Sequence, residues 1–185
     1  MITSLQAHNF NILVIHNIEM FPLQLHTHRL HIEELAYADA SFILNLVNTE
    51  GWLKYIGNRN IYTLFEAAIY IQSILDNRNF KFWTVKLKNS NKSIGLISII
   101  KREYLHYPDL GFAFLPEYTH LGYAFEATNI IVKQAQIQQK YNTLLATTLP
   151  TNHHSIKLLK KLGFLNLQQI EVKNEKMNLY ILNKN

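Results

Sequence analysis

The chain contains no cysteine among its 185 residues. Disulfide bonds, zinc sites built on thiolates and cysteine nucleophiles are therefore excluded, and a reducing cytoplasm is the expected location. The sequence also lacks a long hydrophobic run, since IGLISII (94–100) is far shorter than the ~20 residues that cross a bilayer. Residues 1–20 show no basic leader followed by an apolar stretch, so we expect neither a secretory signal nor a membrane partner.

Acidic residues are scarce toward the C-terminus. Residues 128–185 carry eight lysines against two glutamates, whereas residues 1–127 carry ten basic and eleven acidic residues. Such an excess is typical of a solvated lysine face, and it also fits a surface that attracts a phosphorylated cofactor. The lysines are scattered and form no arginine-rich stripe, so nucleic acid is not the expected partner.

The chain is organised as one domain, because no linker rich in serine, glycine or proline and no internal repeat interrupts it. Its 48% hydrophobic content is enough for a sizeable core. We assign residues 23–185 to this domain. Residues 1–22 are assigned to an N-terminal extension, in which NILVIH (11–16) could form an extra strand.

The spacing of apolar residues predicts seven strands and four helices in the order β-α-α-β-β-β-α-β-α-β-β, which is typical of a mixed α/β domain. Thr63 and Glu66 predict a capping box at the start of the second helix. Asn152 or Thr151 is expected to cap the last helix, and Gly163 to end it. The strands are predicted at 28–35, 81–88, 93–102, 107–115, 143–149, 164–172 and 176–182, and the helices at 37–48, 63–75, 123–139 and 151–163.

The stretch PEYTHLGYAFEA (116–127) places one glycine between a predicted strand and a predicted helix. A helix that begins at Gly122 or Tyr123 leaves its first four N–H groups without intrahelical partners, and its dipole places ~+0.5 of a charge there. Such an end binds phosphate, and glycine lets the ligand approach the backbone closely. Pro116 cannot donate to a strand ladder, so the strand should end or part from its neighbour there.

A longer pattern decides whether this turn is more than a connection. The stretches GFAFLPEYTHLGYAFEA (111–127) and LPTNHHSIKLLKKLGF (149–164) resemble the acetyl-CoA-binding core of the GNAT N-acyltransferase superfamily. Three further stretches support the match: THRLHIEEL, YIGNRNIYTLFEAAIYI and SIGLISIIKREYLHYPDLGFAFLPEY. Together they look similar to the branch of ribosomal-protein N-acetyltransferases and their small-molecule relatives, over residues 23–170.

The resemblance implies an α/β (α+β) fold of the GNAT type. Its central sheet would be mixed and mostly antiparallel, with helices on both faces. The fourth and fifth strands would run parallel and splay apart. In the predicted order these are the strands at 107–115 and 143–149.

The resemblance also implies acetyl-CoA as the cosubstrate. Its pantetheine arm would lie between the two splayed strands, and a backbone N–H of LLATTL (144–149) would polarise the thioester carbonyl. The pyrophosphate would lie on the loop that opens the helix, which in the family has the form Arg/Gln-x-x-Gly-x-Gly/Ala. The implied arm-lining residues are Phe112, Ala113, Phe114 and Leu115, and the loop consists of Thr119, His120, Leu121, Gly122, Tyr123 and Ala124.

Asn152 and Ser155 match the family form Asn-x-x-Ser-x-x-x-Leu-x-x-x-Gly-Phe. The resemblance implies that Asn152 binds the pantetheine or the strand backbone and that Ser155 lies near the sulfur. The alternative is a helix cap followed by an ordinary polar residue of the first turn. Leu159 stands where many family members have the tyrosine that protonates the departing thiolate, so Ser155 is the predicted substitute.

The implied reaction is direct attack of a neutral amine on the acetyl carbonyl. Amines are mostly protonated at neutral pH, so a base must take a proton. Asp109 is the predicted base, and the alternative is a strand-entry aspartate after Pro108. The acceptor would be a small amine or a peptide N-terminus, and the protein a monomer or homodimer. A CoA-binding protein without turnover is the alternative function.

His120 is a further departure, since the family usually has glycine at this position of the loop. A side chain there costs ~1–2 kcal/mol if the backbone is left-handed, and a protonated imidazole near the pyrophosphate would offset that cost. No metal site is predicted, because the pairs His26 with His28 and His153 with His154 lack a third ligand.

The acceptor pocket is the least determined part of the predicted site. Candidates for its lining are Tyr55, Arg59, Tyr62, Trp83, Glu103, Tyr104 and His106. Trp83, Tyr104 and Tyr107 are more typical of packing aromatics.

Overall fold

A sheet of eight strands forms the centre of the protein, and five α-helices cover it. This computed structural model describes residues 24–137 and 141–184, to which all counts and bounds refer. The strands are β1 (Gln24–His26), β2 (Leu30–Glu34), β3 (Phe80–Leu87), β4 (Ser93–Ile100), β5 (Asp109–Phe114), β6 (Thr143–Thr148), β7 (Leu165–Val172) and β8 (Glu175–Asn183). The helices are α1 (Ala40–Val47), α2 (Glu50–Tyr55), α3 (Leu64–Leu75), α4 (Tyr123–Ile137) and α5 (His153–Lys161).

Across the sheet the strands are ordered β1-β2-β3-β4-β5-β6-β8-β7. All neighbouring pairs are antiparallel except β5 and β6, which run parallel. The chain passes from β5 to β6 through α4, the kind of crossover that parallel neighbours require. The predicted mixed sheet is confirmed, because β5 and β6 are the fourth and fifth strands of the predicted order.

Helices lie on both faces of the sheet, as predicted. On one face α4 and α5 pack on a core that contains Ile131, Leu159 and Trp83. On the other face α1, α2 and α3 pack on a second core that contains Trp52 and Ile71. Because neighbouring residues of a strand point to opposite faces, each central strand contributes side chains to both cores.

Local signals set the helix boundaries where they were predicted. Glu66 N donates to Thr63 Oγ1 at 3.2 Å and Thr63 N donates to Glu66 Oε2 at 2.9 Å, so the capping box is confirmed. Asn152 caps α5 by accepting a hydrogen bond from Ser155 N. Gly163 follows α5 with φ of 91°, a left-handed residue that ends the helix as predicted.

The sequence pattern does not predict β1 and α2. β1 has three residues, too few for an alternating pattern, and it is defined by its pairing with β2. α2 has six residues and includes Gly51, a weak helix former, and it begins because Thr49 accepts from Trp52 N. Residues 138 and 139 of the predicted α4 and the predicted extension 1–22 with NILVIH lie outside the described residues. No helix within the described ranges combines the length and apolar character needed to span a bilayer.

Candidate active site

The parallel strands β5 and β6 part soon after they meet. Their one register pair in the described residues joins Asp109 to Leu145, where Leu145 N donates to Pro108 O at 2.8 Å. On its other side β5 pairs with β4 over all six of its residues. β5 therefore has a free edge beyond Asp109, and we call the space between this edge and β6 the cleft.

Main-chain groups of β5 face the cleft. Leu115 N donates to Ile94 O on the β4 side, so alternation along the strand turns the N–H and C=O of Phe112 and Phe114 toward β6. The side chains of Phe112 and Phe114 pack on the α4 core, whereas Ala113 packs on the opposite face. Leu115 is buried in that second core. The predicted lining of the cofactor arm stays a prediction, and the structure offers the backbone of Phe112 and Phe114 for it.

The loop of residues 119–124, the helix-opening loop, presents unpaired N–H groups. His120 and Gly122 are left-handed, with φ of 61° and 83°. The first hydrogen bond of α4 joins Glu126 N to Gly122 O at 3.0 Å. In the part of the chain that the structure describes, no N–H from residue 120 to residue 125 has an acceptor. Thr119 differs, because its N–H and Oγ1 both donate to Pro116 O. Left-handed residues among such N–H groups form a concave anion site.

Arg29 pairs with Glu126 and contacts the helix-opening loop at Leu121 and Tyr123. The sequence does not predict this contact. Glu126 accepts hydrogen bonds from Arg29 Nε at 2.7 Å, Arg29 N at 2.9 Å and Thr27 Oγ1 at 2.5 Å. Burial raises the pKa of Glu126, but these hydrogen bonds outweigh burial and lower it overall. Arg29 Nη1 donates to Leu121 O at 3.1 Å, and the guanidinium carbon lies 4.2 Å from the centre of the Tyr123 ring. The sequence feature that could have indicated this contact is the position of Arg29 in THRLHIEEL, one of the stretches that resemble the family.

Asn152, Ser155 and Leu159 lie on α5, which follows β6. Asn152 Oδ1 accepts from Ser155 N at 3.1 Å, so the cap interpretation is confirmed for this oxygen. Asn152 Nδ2 and Ser155 Oγ have no hydrogen-bond partner among the described residues. Leu159 is 1% exposed and belongs to the α4-side core, so this position supplies no proton donor. Ser155 lies one turn earlier on the same side of the helix.

Asp109 lies at the closed end of the cleft and is 3% exposed. Its Oδ2 accepts from Arg102 Nε at 2.5 Å, and its Oδ1 accepts from Thr147 N at 3.0 Å and Thr147 Oγ1 at 3.3 Å. Burial raises the pKa of Asp109, against the lowering effect of Arg102 and Thr147. A raised pKa suits a base, whereas the three hydrogen bonds occupy the oxygens that would take a proton. The role of base stays a prediction.

The residues predicted for the acceptor pocket differ in their exposure to solvent. Trp83 is 0% exposed and belongs to the α4-side core. Tyr104 and Tyr107, expected to be packing aromatics, are instead 51% and 49% exposed. They lie in the loop between β4 and β5, which runs over the surface rather than against the sheet. Arg59 lines an open groove beside Tyr70 of α3. For Tyr55, Arg59, Tyr62, Glu103, Tyr104 and His106 the acceptor role stays a prediction.

The histidines are arranged differently from the predicted pairs. His28 lies in the turn after β1, and His26 instead contacts His31 across the β1–β2 pair, with 2.7 Å between the two Nδ1 atoms. The adjacent histidines of α5 are exposed, and the ring of His154 lies 4.8 Å from that of His120 in the helix-opening loop. Within residues 24–137 and 141–184, no group of three or more His, Cys, Asp or Glu side chains is arranged to hold a metal ion.

A comparison with known families agrees with this arrangement. The family model of the acetyltransferase (GNAT) domain matches residues 29–165. This chain belongs to the GNAT acetyltransferases. The matched segment contains the cleft, the helix-opening loop and α5. GNAT acetyltransferases use acetyl-CoA as cosubstrate and transfer its acetyl group to amines, so this protein is an N-acetyltransferase.

Relatives of this GNAT acetyltransferase include YnaD of Bacillus subtilis, an uncharacterised N-acetyltransferase. It is 27% identical over 141 residues, which cover 76% of this chain and 82% of YnaD. Solved structures with the same fold include the ribosomal-protein-S5-alanine acetyltransferase of Vibrio fischeri, with a TM-score of 0.75 and 20% identity over 87% of this chain and 96% of that one. The spermidine N-acetyltransferase of Vibrio cholerae, solved with CoA and spermine, has a TM-score of 0.72 and 16% identity over 85% and 97%.

Proposed function

We propose that this GNAT acetyltransferase transfers the acetyl group of acetyl-CoA directly to a primary amine, either a small amine or a protein N-terminus. The observation that carries the proposal is the set of unpaired N–H groups at residues 120–125 beside the open edge of β5. Coenzyme A combines two matching groups in one molecule: a pyrophosphate for these N–H groups and a flexible pantetheine chain for the edge of β5.

The pyrophosphate is proposed to lie on the helix-opening loop. The positive end of the α4 dipole and the free N–H groups both favour a negative charge there. Glu126 is the acidic side chain of the first turn of α4, and Arg29 pairs with it at 2.7 Å, so its charge opposes the ligand less. Lys161 Nζ lies 4.1 Å from the centre of the Phe125 ring, which brings a cation beside the first turn of α4.

The pantetheine arm is proposed to lie in the cleft. Its two amides require donors and acceptors, and the main-chain groups of Phe112 and Phe114 that face β6 supply both. Asn152 Nδ2 is a further donor beyond the end of β6, since its Oδ1 is used in the cap. Ser155 follows Asn152 by three residues on α5, and its Oγ is proposed to lie near the sulfur.

The proposed chemistry forms a bond between the amine nitrogen and the acetyl carbonyl carbon while the C–S bond breaks. A backbone N–H of β6 polarises the carbonyl. Ser155 Oγ is the proposed donor to the thiolate, because Leu159 is buried and carries no proton. The amine proton leaves through water, and direct transfer to Asp109, the predicted base, is the alternative.

A thiol-release assay tests this proposal. With acetyl-CoA as donor, we expect thiol release to require one class of amine from a panel of polyamines, amino acids, aminoglycosides and N-terminal peptides. Ser155→Ala should lower kcat by about 10- to 100-fold with little change in the KM for acetyl-CoA, since general acid catalysis is worth at least that much. An absence of both thiol release and CoA binding would contradict the proposal.

A CoA-binding protein with little turnover is the second candidate. The buried Leu159 favours it, because the position that often carries the proton donor in this family cannot supply one here. Calorimetric binding of CoA without thiol release for any amine of the panel would select this candidate.

His120 makes a separate prediction about cofactor binding. Its φ of 61° meets the condition under which a side chain costs ~1–2 kcal/mol in the loop. We expect the imidazole to offset this cost by contacting the pyrophosphate, so the wild type should bind CoA at least as tightly as His120→Gly in calorimetric titrations. His120→Asn, which tolerates a left-handed backbone but lacks the imidazole, should bind CoA more weakly than the wild type. If the wild type binds CoA more weakly than His120→Gly, the imidazole does not assist.

A further inference from the structure

The separation of β5 from β6 begins at a substituted hydrogen bond. A parallel ladder that starts with Leu145 N donating to Pro108 O would continue with Thr147 N donating to the C=O of Leu110. In the structure Thr147 N donates to Asp109 Oδ1 at 3.0 Å instead. The Asp109 carboxylate therefore accepts the hydrogen bond that would otherwise form the next step of the ladder.

This substitution explains why the cleft opens where it does. Without Thr147 as a partner, the C=O of Leu110 and the N–H of Phe112 are not paired with β6, and the two strands have no further register pair. The groups released are the main-chain donors and acceptors that a pantetheine arm needs. The open edge of β5 is therefore built by Asp109 rather than by a bulge or by Pro116, which lies beyond the end of the strand.

Two neighbours hold the carboxylate in place. Arg102 Nε donates to Oδ2 at 2.5 Å and balances the charge of a side chain that is 3% exposed. Thr147 Oγ1 donates to Oδ1 at 3.3 Å from the same residue as the main-chain N–H. A hydrogen bond to a carboxylate is roughly twice as strong as one to a neutral carbonyl. Thr147 N–H therefore donates to Asp109 rather than to the C=O of Leu110.

We infer that Asp109 is a positioning residue whose carboxylate, held by Arg102, ends the β5–β6 ladder at Thr147 and keeps the cofactor cleft open. It acts through Thr147 and the backbone of β5, and it does not touch the reacting atoms. The occupant of the cleft rests on the proposed function. The opening of the cleft rests on the hydrogen bonds alone.

The test separates the two halves of coenzyme A. Calorimetry would compare CoA with 3′-phosphoadenosine 5′-diphosphate, which carries the phosphates but no pantetheine arm. For Asp109→Ala we expect CoA affinity to fall by roughly 10- to 100-fold, the range for losing a hydrogen bond to a charged group, and the affinity for the nucleotide to stay within about threefold. Asp109→Asn keeps one acceptor oxygen for Thr147 N–H but loses the charge and turns an NH2 group toward Arg102 Nε, so its CoA affinity should lie between those of the wild type and Asp109→Ala.

Hydrogen exchange of the ligand-free protein gives a second readout that needs no ligand. In Asp109→Ala the strands should pair further, so the amide of Phe112 should exchange more slowly than in the wild type. This measurement tests the inference even if the wild type binds no CoA. Such a lack of binding would contradict the proposed function alone.

Three outcomes would overturn the inference. Equal losses of affinity for CoA and for the nucleotide would show that the substitution acts outside the cleft. An Asp109→Asn variant that binds CoA more weakly than Asp109→Ala would show that an acceptor oxygen at this position does not keep the cleft open. Unchanged CoA affinity in both variants, with lower kcat and a lost acidic limb in the pH–rate profile, would assign Asp109 as the base instead.

Discussion

Replacing Gly122 with valine should raise the KM for acetyl-CoA by at least about 100-fold, a loss of about 2.8 kcal/mol in binding. Gly122 has φ of 83°, a conformation in which a β-branched residue is strained by about 1–3 kcal/mol. A Cβ at this position would lie 3.4 Å from Arg29 Nη2, about an ordinary van der Waals contact, so the strain arises from the backbone conformation. Strain and the loss of close approach to the N–H groups add in the same direction.

The matched control is Gly51→Ala. A Cβ at Gly51 would meet no atom within 4 Å, and the residue lies in α2, away from the helix-opening loop. Alanine is the better helix former by about 1 kcal/mol, so this variant should melt at a slightly higher temperature with an unchanged KM. Steady-state kinetics and thermal melts would measure both variants. A Gly122→Val protein that melts normally and keeps the wild-type KM would remove the loop from the cofactor site.

Replacing Arg29 with alanine should raise the KM for acetyl-CoA by about 10- to 30-fold with little change in kcat. Arg29 Nη1 holds Leu121 O at 3.1 Å. In a trans peptide the C=O and the following N–H point in opposite directions, so this contact turns the N–H of Gly122 away from Arg29. The substitution also leaves Glu126 without its cation at the helix start, where its charge then repels the pyrophosphate.

A truncated donor distinguishes this role from general damage to the fold. Acetyl-pantetheine carries the reacting thioester but no pyrophosphate, so its kcat/KM should be nearly equal in the wild type and in Arg29→Ala. Arg78→Ala is the control, because Arg78 is an exposed arginine near the end of α3, away from the loop. Equal losses with acetyl-CoA and acetyl-pantetheine would show that Arg29 acts on something other than the phosphate end of the site.

Features of the site that depend on a few neighbouring residues were predictable. Asn152 caps α5 because its side chain reaches the N–H of Ser155, three residues along the chain. Gly122 precedes α4 because a left-handed residue is needed there, and the cost foreseen for His120 follows from its own φ of 61°. The family pattern also predicted the strand at 107–115 followed by the helix-opening loop and a helix, and the structure has β5, the loop and α4 in this order.

Features that depend on distant residues were not predictable. Arg29 N and Glu126 are 97 residues apart, and no periodicity connects them. Asp109 and Thr147 are 38 residues apart, so the sequence presented Asp109 as an acid at a strand entry without its partners. The tyrosines at 104 and 107 have the composition of packing residues, yet the path of their loop leaves them half exposed.

By itself, the sequence determined the mixed sheet, the order of its elements apart from β1 and α2, the left-handed glycine turn and the family, because each is recorded in local spacing or in a short motif. The tertiary structure decided where the parallel strands separate and what supports the loop at its back. Both depend on hydrogen bonds between residues far apart in the chain: Glu126 accepts from Arg29, and Thr147 N–H donates to Asp109 instead of the C=O of Leu110.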